Sequence, residues 1–534
     1  MQVEKLIAKI ESSRFAKSKI AAVFPELLLV VSFIVTFYWL RKFSELPVEA
    51  YSSTYIFLEA IHHLFSDLFL VILGLFLGTI LFICRKRIFL RWLDLDNGKS
   101  IRAVAFVSAI AFIWPLSASP FNYFSNQWHG LDRLLLVVFL IVLWFRPIAC
   151  LPILLIGGPM VWEFSASINI YPWEFFGMPM RMLILVFVFL LFHSLNISIK
   201  FSAFFFVALC IVASHYWIPG FHKLLSGWFF ENEVFYFLSS TYSNGWLGFL
   251  SQYEIANYAN LLSRVNVPIL AISFVIECLC LFIISFKLKS IRFFLIGFPL
   301  FHIGILLISG IFLWQWILIE GALLCILSRK SVKESISQYT IWHKIAALGL
   351  IFLSPIWLKT ASLTWFDSPV NYVCKFEAID DDGQRHDLSP QFFAPFDEQF
   401  TFNGFSYLLE DVPTLNIQWG ATSREISREL KMAHNSEDVF EIEKRLGSIR
   451  FEQSRKDVMK EFLLSFLGNY NRRTKSRSTL EYLAPPPSIV TFPLRTQVDR
   501  IPKIRGLEIY HVTSFFSGNE YREIRRKLVM TMNF

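Results

Sequence analysis

Residues 201–218 read FSAFFFVALCIVASHYWI and contain no Asp, Glu, Lys or Arg. As an α-helix this stretch would be about 27 Å long, close to the ~30 Å hydrocarbon core of a bilayer, so it is predicted to span a membrane. Similar apolar runs recur on both sides of it, up to about residue 360. The 534 residues are 55% hydrophobic and 17% charged, with a mean hydropathy of +0.50. This composition excludes a soluble globular enzyme.

The apolar runs predict nine to eleven spans, so the expected fold class is an all-α polytopic transmembrane helix bundle with a C-terminal soluble α+β domain. The predicted domains are a basic N-terminal segment (1–19), a transmembrane domain (20–360) and an extracytoplasmic α+β domain (361–534). The candidate spans are Ile20–Leu40, Leu64–Cys84, Val104–Leu116, Leu134–Leu143, Ile148–Val161, Met182–Ile197, Phe201–Ile218, Val267–Phe286, Phe293–Ile308, Ile311–Leu327 and Ile341–Leu358.

Three clusters of basic residues indicate the orientation. They lie at 85–102, 287–292 and 329–333, and they fall on the same side as the N-terminus if the spans alternate. The positive-inside rule makes that side cytoplasmic and the C-terminal domain extracytoplasmic, as expected for a multi-pass protein of a bacterial inner membrane. The net charge of +8 is therefore attributed to topology. The expected partner is the lipid bilayer, and nucleic acid is not expected.

The C-terminal residues predict mixed secondary structure. Two strand-like segments flank Asn403-Gly404, a strong hairpin signal, and a run of three prolines at 485–487 predicts an extended linker. The other predicted elements are strands at Val370–Ile379, Ile489–Phe492 and Leu507–Phe515, and helices at Ser423–Met432, Glu437–Leu446 and Arg450–Leu467.

Ionisable residues inside spans are costly, so each one is a candidate functional site. Hydrogen bonding between helices of the bundle is the commoner explanation for any single one of them. Glu277 and His302 stand out because they lie in consecutive spans at similar distances from the basic turn between them, where an imidazole could exchange a proton with the carboxyl group. The candidates are Asp67, Arg181, His193, His215, Glu277, His302 and Glu320.

The segment after the 201–218 run is the most informative one. Pro219 and Gly220 are predicted to end the span, and a short helix should follow them. At 100° per residue, Lys223 falls on a face with small residues, which would leave room for a ligand. The alternative is an amphipathic helix at the membrane surface whose Lys223 reaches into water.

Residues 216–224 read Tyr-Trp-Ile-Pro-Gly-Phe-His-Lys-Leu. They resemble the Tyr-Phe-Ile-Ala-Gly-x-x-Lys-Leu segment of the vitamin K-dependent γ-carboxylase and of the wider horizontally transferred transmembrane (HTTM) family. Trp228 stands at that family's trailing tryptophan, and Glu277, Phe301-His302 and the loop 126–130, which contains His129, are similar to further family features. The resemblance covers about residues 20–330.

This resemblance implies a membrane-embedded lyase-type site facing the extracytoplasmic side. Lys223 would be the general base that deprotonates a reduced, vitamin K-like quinone, and a peptide or protein substrate would be modified there. The implied catalytic residues are Lys223, His222, Glu277, His302 and His129, the implied cofactor-binding residues are Trp217, Gly220 and Trp228, and no metal is implied.

The sequence also departs from the family pattern. Pro219 replaces the usual alanine, His222 replaces a second lysine, and the C-terminal domain shows no relation to the part of the carboxylase that binds the glutamate substrate. The alternative function is therefore a non-catalytic scaffold or transporter-like protein whose C-terminal domain binds a partner. A disulfide or epoxide reductase is disfavoured because the sequence has no Cys-x-x-Cys thiol pair.

Overall fold

The structure is a computed structural model. It describes residues 23–85, 87, 89–166, 177–197, 199–360, 366–402, 404–416, 421–473, 483–492, 501 and 503–534. The predicted basic segment 1–19, the first residues of the first predicted span, Lys86 and Asn403 lie outside the described residues.

Helices make up the first two thirds of the described chain. In chain order they are α1 (Phe24–Ser44), α2 (Ile56–Ser66), α3 (Leu68–Ile83), α4 (Gly98–Ala118), α5 (Gly130–Phe145), α6 (Cys150–Ala166), α7 (Met178–Ser194), α8 (Phe201–Ser226), α9 (Trp228–Glu231), α10 (Phe235–Ser243), α11 (Gln252–Arg264), α12 (Asn266–Cys278), α13 (Leu288–Ser309), α14 (Trp314–Leu327), α15 (Lys330–Ser337), α16 (Ile341–Phe352) and α17 (Ser354–Trp357).

Six segments among these helices are long and apolar enough to cross a membrane, or seven if α2 and α3, which are bent by 106°, form one span. The six are α1, α4, 147–164 (largely α6), α8, 266–285 (α12 and the 3₁₀ turn after it) and α13, and α7, α14 and α16 are shorter apolar helices. A multi-pass helical membrane protein, the coarse part of the predicted fold class, is thereby confirmed. The finer count of nine to eleven spans stays a prediction that depends on the shorter helices.

Helix α8 is the central element of the bundle. It is apolar around its whole circumference from Phe201 to Gly220, and nearly all of these side chains are buried. A helix that is hydrophobic on every side has to be covered by other helices or by lipid. Here α1, α7, α12 and α16 pack around it, which places residues of α8 in contact with several other helices.

The predicted helix end at Pro219 is wrong. Helix α8 continues through Pro219 and Gly220 to Ser226, and Gly227 ends it with a left-handed φ of 80°. A proline removes one intrahelical hydrogen bond, and in an apolar surrounding no water competes for the remaining ones. Lys223 therefore lies on the last turn of a long helix instead of on a separate short one.

The C-terminal region contains one antiparallel sheet with strand order β2-β1-β3-β4. One face packs its apolar side chains against helices, with Phe376, Leu507 and Ile509 in the same core as Phe462 and Phe466. The elements are β1 (Val370–Asp380), β2 (Arg385–Leu388), α18 (Asp397–Phe402), α19 (Arg424–Leu430), α20 (Ser436–Leu446), α21 (Gln453–Arg472), β3 (Ile504–Phe516) and β4 (Tyr521–Asn533).

Three predicted strands in this region are wrong, and two strands, β2 and β4, were missed. The segments beside residue 403 form α18 and a 3₁₀ turn at Ser406–Leu408 because their phenylalanines pack into the core of the domain. Ile489 makes one isolated bridge to Ile311 of the bundle and lies outside the sheet. Strand β4 has four basic residues in Arg522–Lys527, which hide the alternation typical of a strand.

The C-terminal region is docked on one end of the bundle. In the loop between α4 and α5, the ring of Phe124 stacks on Phe462 at 4.9 Å, and the Asn469 side chain donates to the carbonyl of Tyr123 at 2.6 Å. Near α9, Asn232 and Asp367 exchange two hydrogen bonds of 2.8 and 2.9 Å.

The basic clusters lie at the other end of the bundle. The Arg329 guanidinium donates to the hydroxyl of Ser100 at 3.1 Å, which joins the third cluster to the first. Phe286, next to the second cluster, packs against Tyr339, which follows the third one, at a ring distance of 4.4 Å. The basic residues and the C-terminal region therefore occupy opposite ends of the helices.

Candidate functional site

Three residues of α8 share one face. Tyr216, Gly220 and Lys223 follow an i, i+4, i+7 spacing, so they lie one above another along the helix. This face meets α12, α13 and α14, which contribute one ionisable residue each: Glu277, His302 and Glu320. These residues form the candidate site.

Lys223 and Glu277 form an ion pair. The ammonium nitrogen lies 2.8 and 2.9 Å from the two carboxylate oxygens, and it also lies 4.5 Å from the centre of the Trp228 ring. Glu277 is buried, whereas the Lys223 side chain keeps 13% of its surface exposed. The pair therefore lies at the boundary between the interior of the bundle and its surface, near the C-terminal region.

Gly220 allows the two helices to approach closely enough for this pair. A Cβ atom at residue 220 would lie 2.7 Å from the Cβ of Glu277, which is closer than real Cβ contacts. The sequence suggested that small residues near Lys223 leave room for a ligand. At Gly220 the space is filled by Glu277, because the missing side chain is what lets α12 pack against α8.

Deeper in the bundle, Tyr216 joins His302 and Glu320. The Tyr216 hydroxyl donates to Glu320, and it lies 2.6 Å from Nε2 of His302, which can donate to the hydroxyl oxygen. The Tyr216 ring stacks on Phe298 with centres 3.8 Å apart, which fixes its orientation. All three polar side chains are buried.

This deeper cluster is not fully hydrogen-bonded. Among the described residues, Nδ1 of His302 and Oε2 of Glu320 have no hydrogen-bond partner. Buried polar atoms without partners are rare because each costs free energy, and they concentrate at sites that bind a ligand or move a proton. Glu277 lies close enough to interact electrostatically with both His302 and Tyr216, so the ion pair and the cluster are neighbours.

Arg181 and His215 form a second polar contact beside this cluster. The Arg181 guanidinium contacts Nε2 of His215, whose Nδ1 donates to the carbonyl of Ile211 at 2.7 Å. The Trp316 ring lies between the two groups, 4.9 Å from the His215 ring and 5.7 Å from the His302 ring.

The remaining predicted site residues lie elsewhere. His129 directly precedes α5 at the end near the C-terminal region, where it is buried and its Nε2 lies 3.6 Å from Oε1 of Glu163. The His222 ring lies edge-on to Phe221, and Trp217 packs between Phe221 and Phe352. The structure therefore joins Lys223, Gly220, Trp228 and Glu277, with His302 next to them, and places His129, His222 and Trp217 apart.

Tyr216 was not assigned a role from the sequence, although a signal for it was present. It lies seven residues before Lys223, two helical turns away on the same face. Glu320 was recognised as one of several ionisable residues in spans, but its partners are distant in sequence. No metal-binding group of three or more His, Cys, Asp or Glu side chains occurs among the described residues.

No protein-family model, no curated protein and no solved structure matches this chain.

Proposed function

We propose that this multi-pass membrane protein is an acid–base catalyst, with the Lys223–Glu277 pair as its proton-transfer centre. The observation that carries the proposal is the meeting of five ionisable groups from four helices in an apolar interior, with Lys223 as the group nearest the surface. Intramembrane ionisable residues are expensive, and their grouping is typical of proton relays and substrate sites.

The chemistry of the pair supports a general base. In surroundings of low polarity the charged forms are disfavoured, so transfer of the ammonium proton to Glu277 gives a neutral amine and a neutral carboxylic acid without separating charge. The amine of Lys223 can then accept a proton from a substrate. The Glu277 proton can pass to His302, whose Nε2 faces Tyr216, and Tyr216 in turn contacts Glu320.

The surroundings of Lys223 suit an apolar substrate that enters from the lipid. Leu224 and Leu225, on the same turn, are exposed side chains, and the Trp228 ring borders the amine. A reduced, vitamin K-like quinone, as the resemblance to the HTTM family implies, would supply a weakly acidic hydroxyl group at this position. Trp228 would border it, and Lys223 would take up the proton.

We further propose that this end of the bundle is extracytoplasmic, so a peptide or protein substrate would reach the site from there. The argument is the positive-inside rule together with the position of the basic clusters at the opposite end. From the motif resemblance we also propose membership of the HTTM family, a carboxylase-like activity and a location in a bacterial inner membrane.

Replacement of Lys223 tests the proposal. We expect Lys223→Ala to abolish complementation of a deletion strain while the protein still accumulates in the membrane, because the base is lost and an unpaired Glu277 can bind a proton instead of keeping a buried charge. Lys431→Ala is the matched control: that side chain is 18% exposed and also faces a glutamate, Glu233, at 3.5 Å. Full complementation by Lys223→Ala would contradict the proposal.

A non-catalytic scaffold is the second candidate. The docked C-terminal region favours it, since the contacts of Asn232 with Asp367 and of Phe124 with Phe462 hold this region in a fixed position where a partner could bind. A scaffold requires the C-terminal region and tolerates Lys223→Ala. The two candidates therefore predict opposite results for the same variant.

A further inference from the structure

A group of basic side chains lies where the bundle meets the C-terminal region. Arg424 and Arg428, one turn apart on α19, both bind the carboxylate of Glu231 at the end of α9. Nε of Arg424 lies 2.7 Å from Oε2, and Arg428 reaches the two oxygens at 3.0 and 2.8 Å. Lys431 donates to the Glu231 carbonyl at 2.7 Å and faces Glu233. Lys431 also interacts electrostatically with Asp367, so three carboxylates face the three cations.

These guanidinium groups still have donors to offer. Glu231 engages Nε and Nη2 of both arginines, and no hydrogen bond joins either Nη1 group to another described residue. The Arg428 side chain is 60% exposed. The Nη1 groups can therefore donate to an outside anion while both arginines remain bound to Glu231.

Exposed apolar side chains lie directly beside this basic group. Leu225 on the last turn of α8 and Phe230 on α9 are both largely exposed. Gly227 lies between them along the chain, and the Arg424 guanidinium is next to it, since a Cβ atom at Gly227 would be 3.5 Å from the guanidinium carbon. In a membrane protein this change from exposed apolar to exposed basic side chains marks the level of the lipid head groups.

We propose that Arg424 and Arg428 bind the phosphate of an anionic phospholipid whose acyl chains lie along Leu225 and Phe230. Arginine suits this role because its planar fork matches two phosphate oxygens. The proposal rests on membrane insertion and does not depend on proton transfer by Lys223. Helix α19 would then bind a lipid in addition to Glu231.

Lipid retention by the full-length protein tests this proposal. The protein is reconstituted with phosphatidylcholine and phosphatidylglycerol, purified, and analysed by native mass spectrometry for bound lipid. We expect phosphatidylglycerol to be retained in preference to phosphatidylcholine. Arg428→Gln should lower the retention of phosphatidylglycerol about fivefold, since one arginine near an anionic membrane surface contributes about that factor in binding affinity.

Arg445→Gln is the matched control, because Arg445 is 61% exposed and also binds a glutamate, Glu429, within the C-terminal region.

Glu231→Gln shows whether the two arginines bind lipid or serve only to hold α19 against the bundle. Lipid binding predicts unchanged or increased retention of phosphatidylglycerol, since a competing carboxylate is lost. Loss of retention in Glu231→Gln, an equal loss in Arg445→Gln, or no preference for phosphatidylglycerol would each overturn the proposal. Lys223→Ala should leave retention unchanged, so this result is independent of the acid–base test.

Discussion

Two buried glutamates, Glu277 in the bundle and Glu443 in the C-terminal region, are each paired with a cation in different surroundings. Glu443 receives two hydrogen bonds from Arg525, at 2.8 and 2.7 Å, and one from Tyr372 at 2.8 Å. Arg525 also donates to Thr513 at 2.9 Å, so this network is closed.

Glu277 is bound by a single ammonium group instead of a planar guanidinium. Next to it, His302 and Glu320 retain polar atoms without partners among the described residues. A closed buried network holds a fold in one arrangement, whereas an incompletely bonded one can accept a proton or a ligand. We therefore interpret the Glu443 network as structural and the Glu277 network as functional.

The largest effect is expected from Glu443→Ala. This substitution leaves Arg525 and Tyr372 without their acceptor in the interior and should lower the free energy of unfolding of the C-terminal region by about 3–5 kcal/mol. Denaturant titration of the detergent-solubilised full-length protein, followed by limited proteolysis of this region, measures the loss.

Glu277→Ala provides the comparison for that measurement. We expect it to cost less than half as much, because Lys223 lies on the last turn of α8 and can turn its ammonium group towards water. Equal losses in the two variants would remove the distinction between a structural and a functional network.

A second difference concerns two buried histidines. His302 lies beside a carboxyl group, whereas His511 on β3 is buried near Arg525. Burial, and then the charge of Arg525, lower the pKa of His511 from 6.5 to about 3. Below pH 6.5 the unfolded chain therefore binds a proton that the folded chain does not, and stability falls as the pH falls.

At a pH of about 4.5 this difference amounts to about 3 kcal/mol of unfolding free energy. We expect His511→Phe, which retains a ring beside Tyr372, to flatten the pH dependence of unfolding of the C-terminal region between about pH 6.5 and 4.5. Unfolding curves of the wild type and the variant at both pH values test this. An unchanged slope in the variant would show that other groups cause the acid sensitivity.

The sequence predicts these two regions unequally well. Apolar runs located most of the helices because each run is long and needs no information about its partners, and alternation located β1 and β3. Alternation missed β2, which has only four residues, and β4, whose basic residues pair with Glu377, Asp411 and Glu443 from distant parts of the chain.

The candidate site was only partly predictable, because it too depends on contacts between distant parts of the chain. Lys223 and Glu277 were recognised as unusual residues for a membrane span, but their pairing depends on how closely α8 and α12 approach. Pro219 was interpreted as a helix end because in water it usually is one. In the closed interior of the bundle, α8 continues through Pro219. The packing of the bundle also places Tyr216 beside His302 and Glu320.

The smallest effect, and the most direct test of that close approach, comes from two glycines in helices. Alanine at Gly220 would place a Cβ 2.7 Å from the Glu277 Cβ, so α8 and α12 must separate at a cost of about 1–3 kcal/mol. Alanine at Gly468 of α21 meets nothing within 4 Å and should stabilise its helix by about 0.5–1 kcal/mol. The thermal unfolding temperatures of the two variants should therefore shift in opposite directions.

Because separation of the helices also moves Glu277 away from Lys223, Gly220→Ala should in addition reduce complementation, whereas Gly468→Ala should not. Similar shifts in both variants would mean that α8 and α12 are not in close contact at Gly220, and the assignment of Glu277 as the partner of Lys223 would then fail.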